Sequence, residues 1–161
     1  IWMGGFTPPA IRRAARLADA YIAIGPIRAL VDQYRRELEA IGEDPDAHEV
    51  ASGFAWLLVA RDPEARWREA REHFLYQINL YARWFGEVGM SVASTASSDE
   101  DLRKQGFLIV TPEQACEKIR EYVKDNLVTR FYGWTVPPGL PPEWSDEHVQ
   151  LMAREVMPAF R

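Results

Sequence analysis

What most constrains this chain is a rhythm: short apolar runs alternate with longer stretches of helical period along all 161 residues. Ile1–Met3 is a strand fragment closed by Gly4-Gly5, and PPAIRRAARLAD follows as a helix with Ile11, Ala14, Ala15 and Ala18 on one face. Tyr21–Ile24 is a second strand, ended by Gly25. In PIRALVDQYRRELEAIG, Ile27, Leu30, Val31, Tyr34, Leu38 and Ile41 recur at three- and four-residue steps, and Gly42 stops the helix. Glu49–Ala60 is too apolar to have a solvated face and reads as one long strand covered by helices. A long helix follows, its buried stripe marked by Trp67, Ala70, Phe74, Ile78, Tyr81 and Phe85. FLIV is a short apolar run, VTRFYGWTV a last full strand, and Ser145 caps a final helix with Val149, Met152, Ala153 and Val156 facing inward. Such alternation gives an α/β fold, a parallel sheet with right-handed crossovers. About four βα units make half of an eight-stranded barrel. Residues 1–161 read as one domain, in which the small, polar stretch 90–106 is a flexible loop or insertion.

Three helices open with the same signal. Thr7-Pro8-Pro9, Asp62-Pro63-Glu64 and Thr111-Pro112, with Gln114, each set a capping residue before a proline in the first turn. A missing N–H costs nothing there.

Composition excludes several functions. The net charge is −5 with no basic block, so no nucleic-acid partner is expected. No run approaches the roughly 18 apolar residues of a membrane span, so no membrane partner is expected either. The single Cys116 has no disulfide partner within the chain and falls on helical spacing with Ile119 and Val123, as a buried thiol in a reducing, cytoplasmic setting. His48, His73 and His148 are scattered without metal-ligand spacing, so no metal is expected; His73 reads as a packing residue and His148 as a solvent-facing or capping one. No GxSxG elbow occurs, and the acid pairs lie on a helix face or in a loop, so no catalytic residue is assignable.

The glycine pair is what remains. A strand end, two glycines and a helix N-terminus form an anion site, because glycine lets backbone N–H groups approach closely and the helix adds its unpaired donors and partial positive charge. The donors are Gly5, Phe6 and Thr7, since Pro8 and Pro9 have none, and Thr7 adds a hydroxyl. The same residues also suit a plain tight turn.

IWMGGFTPPAIRRAARLADAYIAIG resembles the middle segment of the luciferase-like monooxygenases, where a strand ending in Gly-Gly precedes a helix of RRAARxADG type. The likeness continues through LLVARDPEARWREAREHFLYQINLYARWF, FLIVTPEQACEKIREYV, VTRFYGWTVPPGLPPEW and the closing EVMPAFR. It implies the C-terminal half of a (β/α)8 TIM barrel and a flavin (FMN) or deazaflavin (F420) oxidoreductase acting on a small organic substrate. By the same resemblance, Gly4, Gly5, Phe6 and Thr7 approach the cofactor phosphate. One departure is Ala18-Asp19-Ala20 in place of the family's Ala-Asp-Gly, which bears on that turn's backbone. Trp134, which leads into VPPGLPP, and Tyr132 are the candidate substrate contacts, with packing of Trp134 under that loop as the alternative. With four of eight strands the chain is expected to be inactive alone, either lacking its N-terminal half or self-associating. A stand-alone half-barrel acting as a structural or binding module, and an unrelated four-strand domain binding a phosphorylated ligand, are the competing interpretations.

Overall fold

The computed structural model describes residues 1–25, 27–90 and 93–160. In chain order the elements are β1 (Trp2–Gly4), α1 (Pro8–Leu17), β2 (Ala20–Ile22), α2 (Ile27–Ala40), β3 (Glu49–Ser52), β4 (Trp56–Val59), α3 (Pro63–Glu87), α4 (Asp99–Lys104), β5 (Phe107–Val110), α5 (Pro112–Asn126), β6 (Arg130–Phe131) and α6 (Glu143–Leu151). A π turn and a 3-10 turn carry the chain on to Phe160. They fall into two compact units, Ile1–Gly53 with Ile119–Tyr132, and Phe54–Lys118 with Gly133–Arg161.

The first unit holds a parallel sheet in the order β1-β2-β3-β6, with Trp2 opposite Ala20, Ala20 opposite Glu49 and Ala51 opposite Arg130. Its core is one cluster of Ile11, Ala14 and Ala15 from α1, Tyr21 from β2, Leu30, Val31, Tyr34 and Leu38 from α2, and Val50 and Val128. The alanines expected along α1 are those buried; small side chains let α1 lie close against α2 and the sheet.

The second unit pairs β4 with β5 in parallel, from Trp56 opposite Phe107 to Val59 opposite Val110. Trp67, Ala70, Phe74 and Ile78 of α3 bury against this pair together with Leu102 of α4 and Trp144 of α6. Tyr81 and Phe85, expected on the same buried stripe, are only partly buried. No helix among the described residues is long and apolar enough to cross a membrane.

Several boundaries differ from those expected. The run 49–60 is two strands in two sheets, broken at Gly53, where a Cβ would collide with the Tyr132 carbonyl oxygen. Two backbones touch there, and the ladder stops. VTRFYGWTV divides likewise: Arg130–Phe131 pair with β3, whereas Trp134 makes a lone parallel bridge to Trp56. The last helix starts at Glu143 after Pro142 rather than at Ser145, and it turns Trp144, His148 and Leu151 inward. Val149 is consequently 60% exposed, because the two large rings at 144 and 148 fix the rotation of the helix. In the polar stretch 90–106, Ser91 and Val92 lie outside the described residues, and residues 99–104 form α4. A reciprocal capping box between Ser98 and Asp101 opens that helix, and Asn79 ties down Ala96 through both its backbone groups.

Candidate functional site

Because the first unit's sheet is parallel, the carboxyl ends of its four strands share one side, where ligands bind in α/β sheets. β1 ends at Gly4, which is exposed and pairs with Ile22. Gly5 has φ +142°, and a Cβ there would meet the Ala10 Cβ at 2.6 Å, so only glycine closes this turn. The Gly5 carbonyl accepts a 2.5 Å hydrogen bond from the Tyr21 hydroxyl. Tyr21 is fully buried, stacked on Tyr34 with ring centroids 4.8 Å apart, and burial pushes its hydroxyl up to about 12, so it remains a neutral donor.

That bond sets a direction. In a trans peptide the N–H points opposite to the carbonyl of the same unit. No cis peptide occurs among the described residues, so turning the Gly5 carbonyl inward to Tyr21 turns the Phe6 N–H away from it. Phe6 itself is 45% exposed. Thr7 is the N-cap of α1, with φ −98° and ψ 148°, and its carbonyl accepts from the Ile11 N–H at 3.0 Å. Its hydroxyl makes no capping bond. Pro8 and Pro9 fill the first two helical positions, leaving Ala10 as the first helical residue with an N–H. No acid sits in this first turn, and Arg12, Arg13 and Arg16 follow. The local field is therefore positive and the side-chain donor is uncommitted, which suits an anion.

Along the same side, β2 leads to exposed Ile24 and β6 to Tyr132, 38% exposed. Between them the Ser52 hydroxyl donates to the Ala23 carbonyl at 2.9 Å and lies 2.9 Å from the Tyr122 hydroxyl. Tyr122 in turn donates to the Gly53 carbonyl at 3.0 Å. Burial raises the Tyr122 and Tyr132 phenols, which stay neutral near pH 7. The hydroxyl pair ties the carboxyl ends of β2 and β3 to α5.

The structure thus brings Gly4, Gly5, Phe6 and Thr7 into one turn, with Tyr132 in the same unit. Trp134 belongs to the second unit, where its ring lies 6.0 Å from Trp56 at 43° and its carbonyl accepts from the Leu57 N–H at 2.8 Å. Tyr21, Ser52 and Tyr122 escape a reading of the sequence, because the rings of Tyr21 in an apolar strand and Tyr122 on a helix look like core, and Ser52 is a single hydroxyl in an apolar run. One signal points to them: β1, β2 and β3 each have a glycine within three residues of their carboxyl end, at 5, 25 and 53. His148 corrects a further expectation. It is buried rather than solvent-facing, and its Nδ1 accepts the Val59 N–H at 2.9 Å; burial lowers its pKa and keeps the ring neutral. Among the described residues no three of His, Cys, Asp and Glu converge to hold a metal ion.

A family model described as luciferase-like monooxygenase matches residues 1–129. The chain belongs to that family. Solved structures agree in fold. A Streptomyces bottropensis monooxygenase superposes with a TM-score of 0.74 at 17% identity, covering 100% of this chain and 48% of its own. The FMN complex of the oxygenating constituent of 3,6-diketocamphane monooxygenase from Pseudomonas putida gives 0.70 at 20% identity, covering 98% and 48%. The coenzyme F420-dependent tetrahydromethanopterin reductase of Methanopyrus kandleri gives 0.69 at 17%, covering 99% and 50%. The fold is thus α/β, matching half of the luciferase-like TIM barrels, and the chain spans about half the length of these structures. No curated protein matches the chain.

Proposed function

We propose that this chain supplies one side of a flavin or deazaflavin site in a luciferase-like oxidoreductase, with Gly4, Gly5, Phe6 and Thr7 holding the cofactor phosphate. The observation that carries this is the Tyr21–Gly5 hydrogen bond, which aims the Phe6 N–H outward beside an uncapped Thr7 at a helix N-terminus. The fit is chemical as well as spatial: a phosphate needs several donors and no carboxylate nearby, and the first turn of α1 has no acid. Bound there, FMN or F420 supplies hydride chemistry, while the protein binds it, orients it and excludes water. Tyr132 in this unit and Trp134 in the second are each a candidate contact for a small organic substrate. The chain by itself is expected to turn over no substrate, since neighbours twice its length share the fold. Its buried Cys116 fits a cytoplasmic setting.

Fluorescence titration of the 161-residue chain with FMN, F420 and riboflavin, which lacks the phosphate, tests this. FMN is expected to bind at least about tenfold more tightly than riboflavin, as two or three charge-assisted bonds require. Thr7→Ala should narrow that ratio. Equal affinities for FMN and riboflavin would overturn the assignment.

A further inference from the structure

The outward face of α1 carries charge of one sign. Arg12, Arg13 and Arg16 lie on it at steps of three and four, all exposed, and with Pro9 and Leu17 they line a groove of about 410 Å³. Like charges one turn apart repel, and α1 has no carboxylate of its own to offset them. None of the three forms an ion pair among the described residues, whereas Arg28, Arg35, Arg66, Arg71 and Arg130 each face a carboxylate. The helix has already buried its apolar side, Ile11, Ala14 and Ala15. What the arginine side lacks is negative charge rather than a packing partner.

We propose, resting on the phosphate site at Gly4–Thr7, that this groove takes the oligo-γ-glutamate extension of a deazaflavin, which makes F420 rather than FMN the cofactor this chain serves. The groove begins where the phosphate turn ends, since Pro9 is the second residue of α1 and Arg12 stands about one turn beyond Pro8. FMN stops at its phosphate monoester and has nothing to place there. In F420 the phosphate is a diester that continues through a lactyl group into glutamates joined by their γ-carboxyls. Each glutamate therefore keeps a free α-carboxylate. A γ-linked glutamate advances its chain by about 6 Å at standard bond lengths, close to the roughly 5.4 Å pitch of a helix. Successive carboxylates thus share the spacing of Arg12 and Arg16, one turn apart, with Arg13 as a third donor between them. The guanidinium fork matches a carboxylate, and Pro9 and Leu17 offer the glutamate methylenes an apolar margin.

Fluorescence titration of the chain with F420 carrying no, one, two or four glutamates reads the result. Affinity should rise about threefold with each of the first two glutamates and then level off, and the rise should shrink as salt is added. The double variant Arg12→Gln, Arg16→Gln should abolish the dependence on glutamate number with an unchanged circular dichroism spectrum, whereas Arg28→Gln, on α2, should keep it. Affinity independent of glutamate number, with FMN still bound more tightly than riboflavin, would overturn this proposal and leave the phosphate site standing. Equal binding of FMN and riboflavin would overturn both. A glutamate dependence that survives in the double variant would overturn the placement in this groove.

Discussion

The helix starts of the two units look interchangeable and behave differently. In the second unit, Asp62 accepts from the Ala65 N–H at 2.9 Å and Glu64 lies in the first turn of α3. Thr111 and Gln114 close a reciprocal capping box on α5 at 3.1 and 3.3 Å, and hydrogen bonds from its own N–H and from Thr111 hold Glu113 below the usual carboxylate range. Those termini meet their donors with the chain's own oxygens. In the first unit, α1 carries the same cap-and-proline signal, yet Thr7 makes no cap bond and no acid follows it. A helix N-terminus with its own acceptors is a structural joint; one without them is open to an external anion. The lesson is to read the first turn for what it leaves unmade.

The comparison breaks most sharply at Gly5. Gly5→Ala meets Ala10 at 2.6 Å at a positive φ and should cost about 3 kcal/mol in urea unfolding, removing the preference for FMN over riboflavin as well. His148→Leu leaves the buried Val59 N–H unpaired and should cost about 2 kcal/mol, with no effect on that preference. Asp62→Ala should cost about 1 kcal/mol through its lost cap. Thr7→Ala, at the same position of α1, should stay within about 0.5 kcal/mol because no cap bond is lost, its effect falling instead on phosphate affinity.

The units also respond to opposite ends of the pH scale. Tyr21 in the first has a folded pKa above its unfolded value of 10.0, so the unfolded state loses its proton first and stability declines as pH rises from 10 toward about 12. His148 in the second has a folded pKa below 6.5, so the unfolded state gains its proton first and stability declines as pH falls below 6.5. Amide exchange at high and low pH should show protection lost first around Tyr21 in the one case and around Val59 in the other.

How much of this was legible in the sequence depends on the range of the interaction. The helices of local period, α1, α2 and α3, and the cap at Thr111 were readable because their determinants lie within four residues. So was the turn at Gly4-Gly5, including which prolines lack donors. The break at Gly53 was not, since nothing in an apolar run reveals that the Tyr132 carbonyl, 79 residues later, rests on its Cα. Tyr21 was invisible as a site residue because its ring belongs to the core and only its hydroxyl to the site. The rotation of α6 is not fixed by its period, because Val149, Met152 and Ala153 offer a second apolar face beside Trp144, His148 and Leu151. α4 has a local cap at Ser98–Asp101, but its place depends on Asn79 and Trp67 of α3, which hold residues 96–99 from far along the chain.

The contact at Gly53 has a consequence in time. The first unit is written in two pieces, and residues 54–118 of the second are spelled out between them. A nascent chain therefore has β1, β2 and β3 long before β6, and β3 must wait with one edge bare. At about 5–20 residues per second the interval is several seconds, during which an unpaired strand can find the wrong neighbour. The glycine that lets Tyr132 settle so closely at the end is also the point at which synthesis leaves one unit unfinished and begins the next.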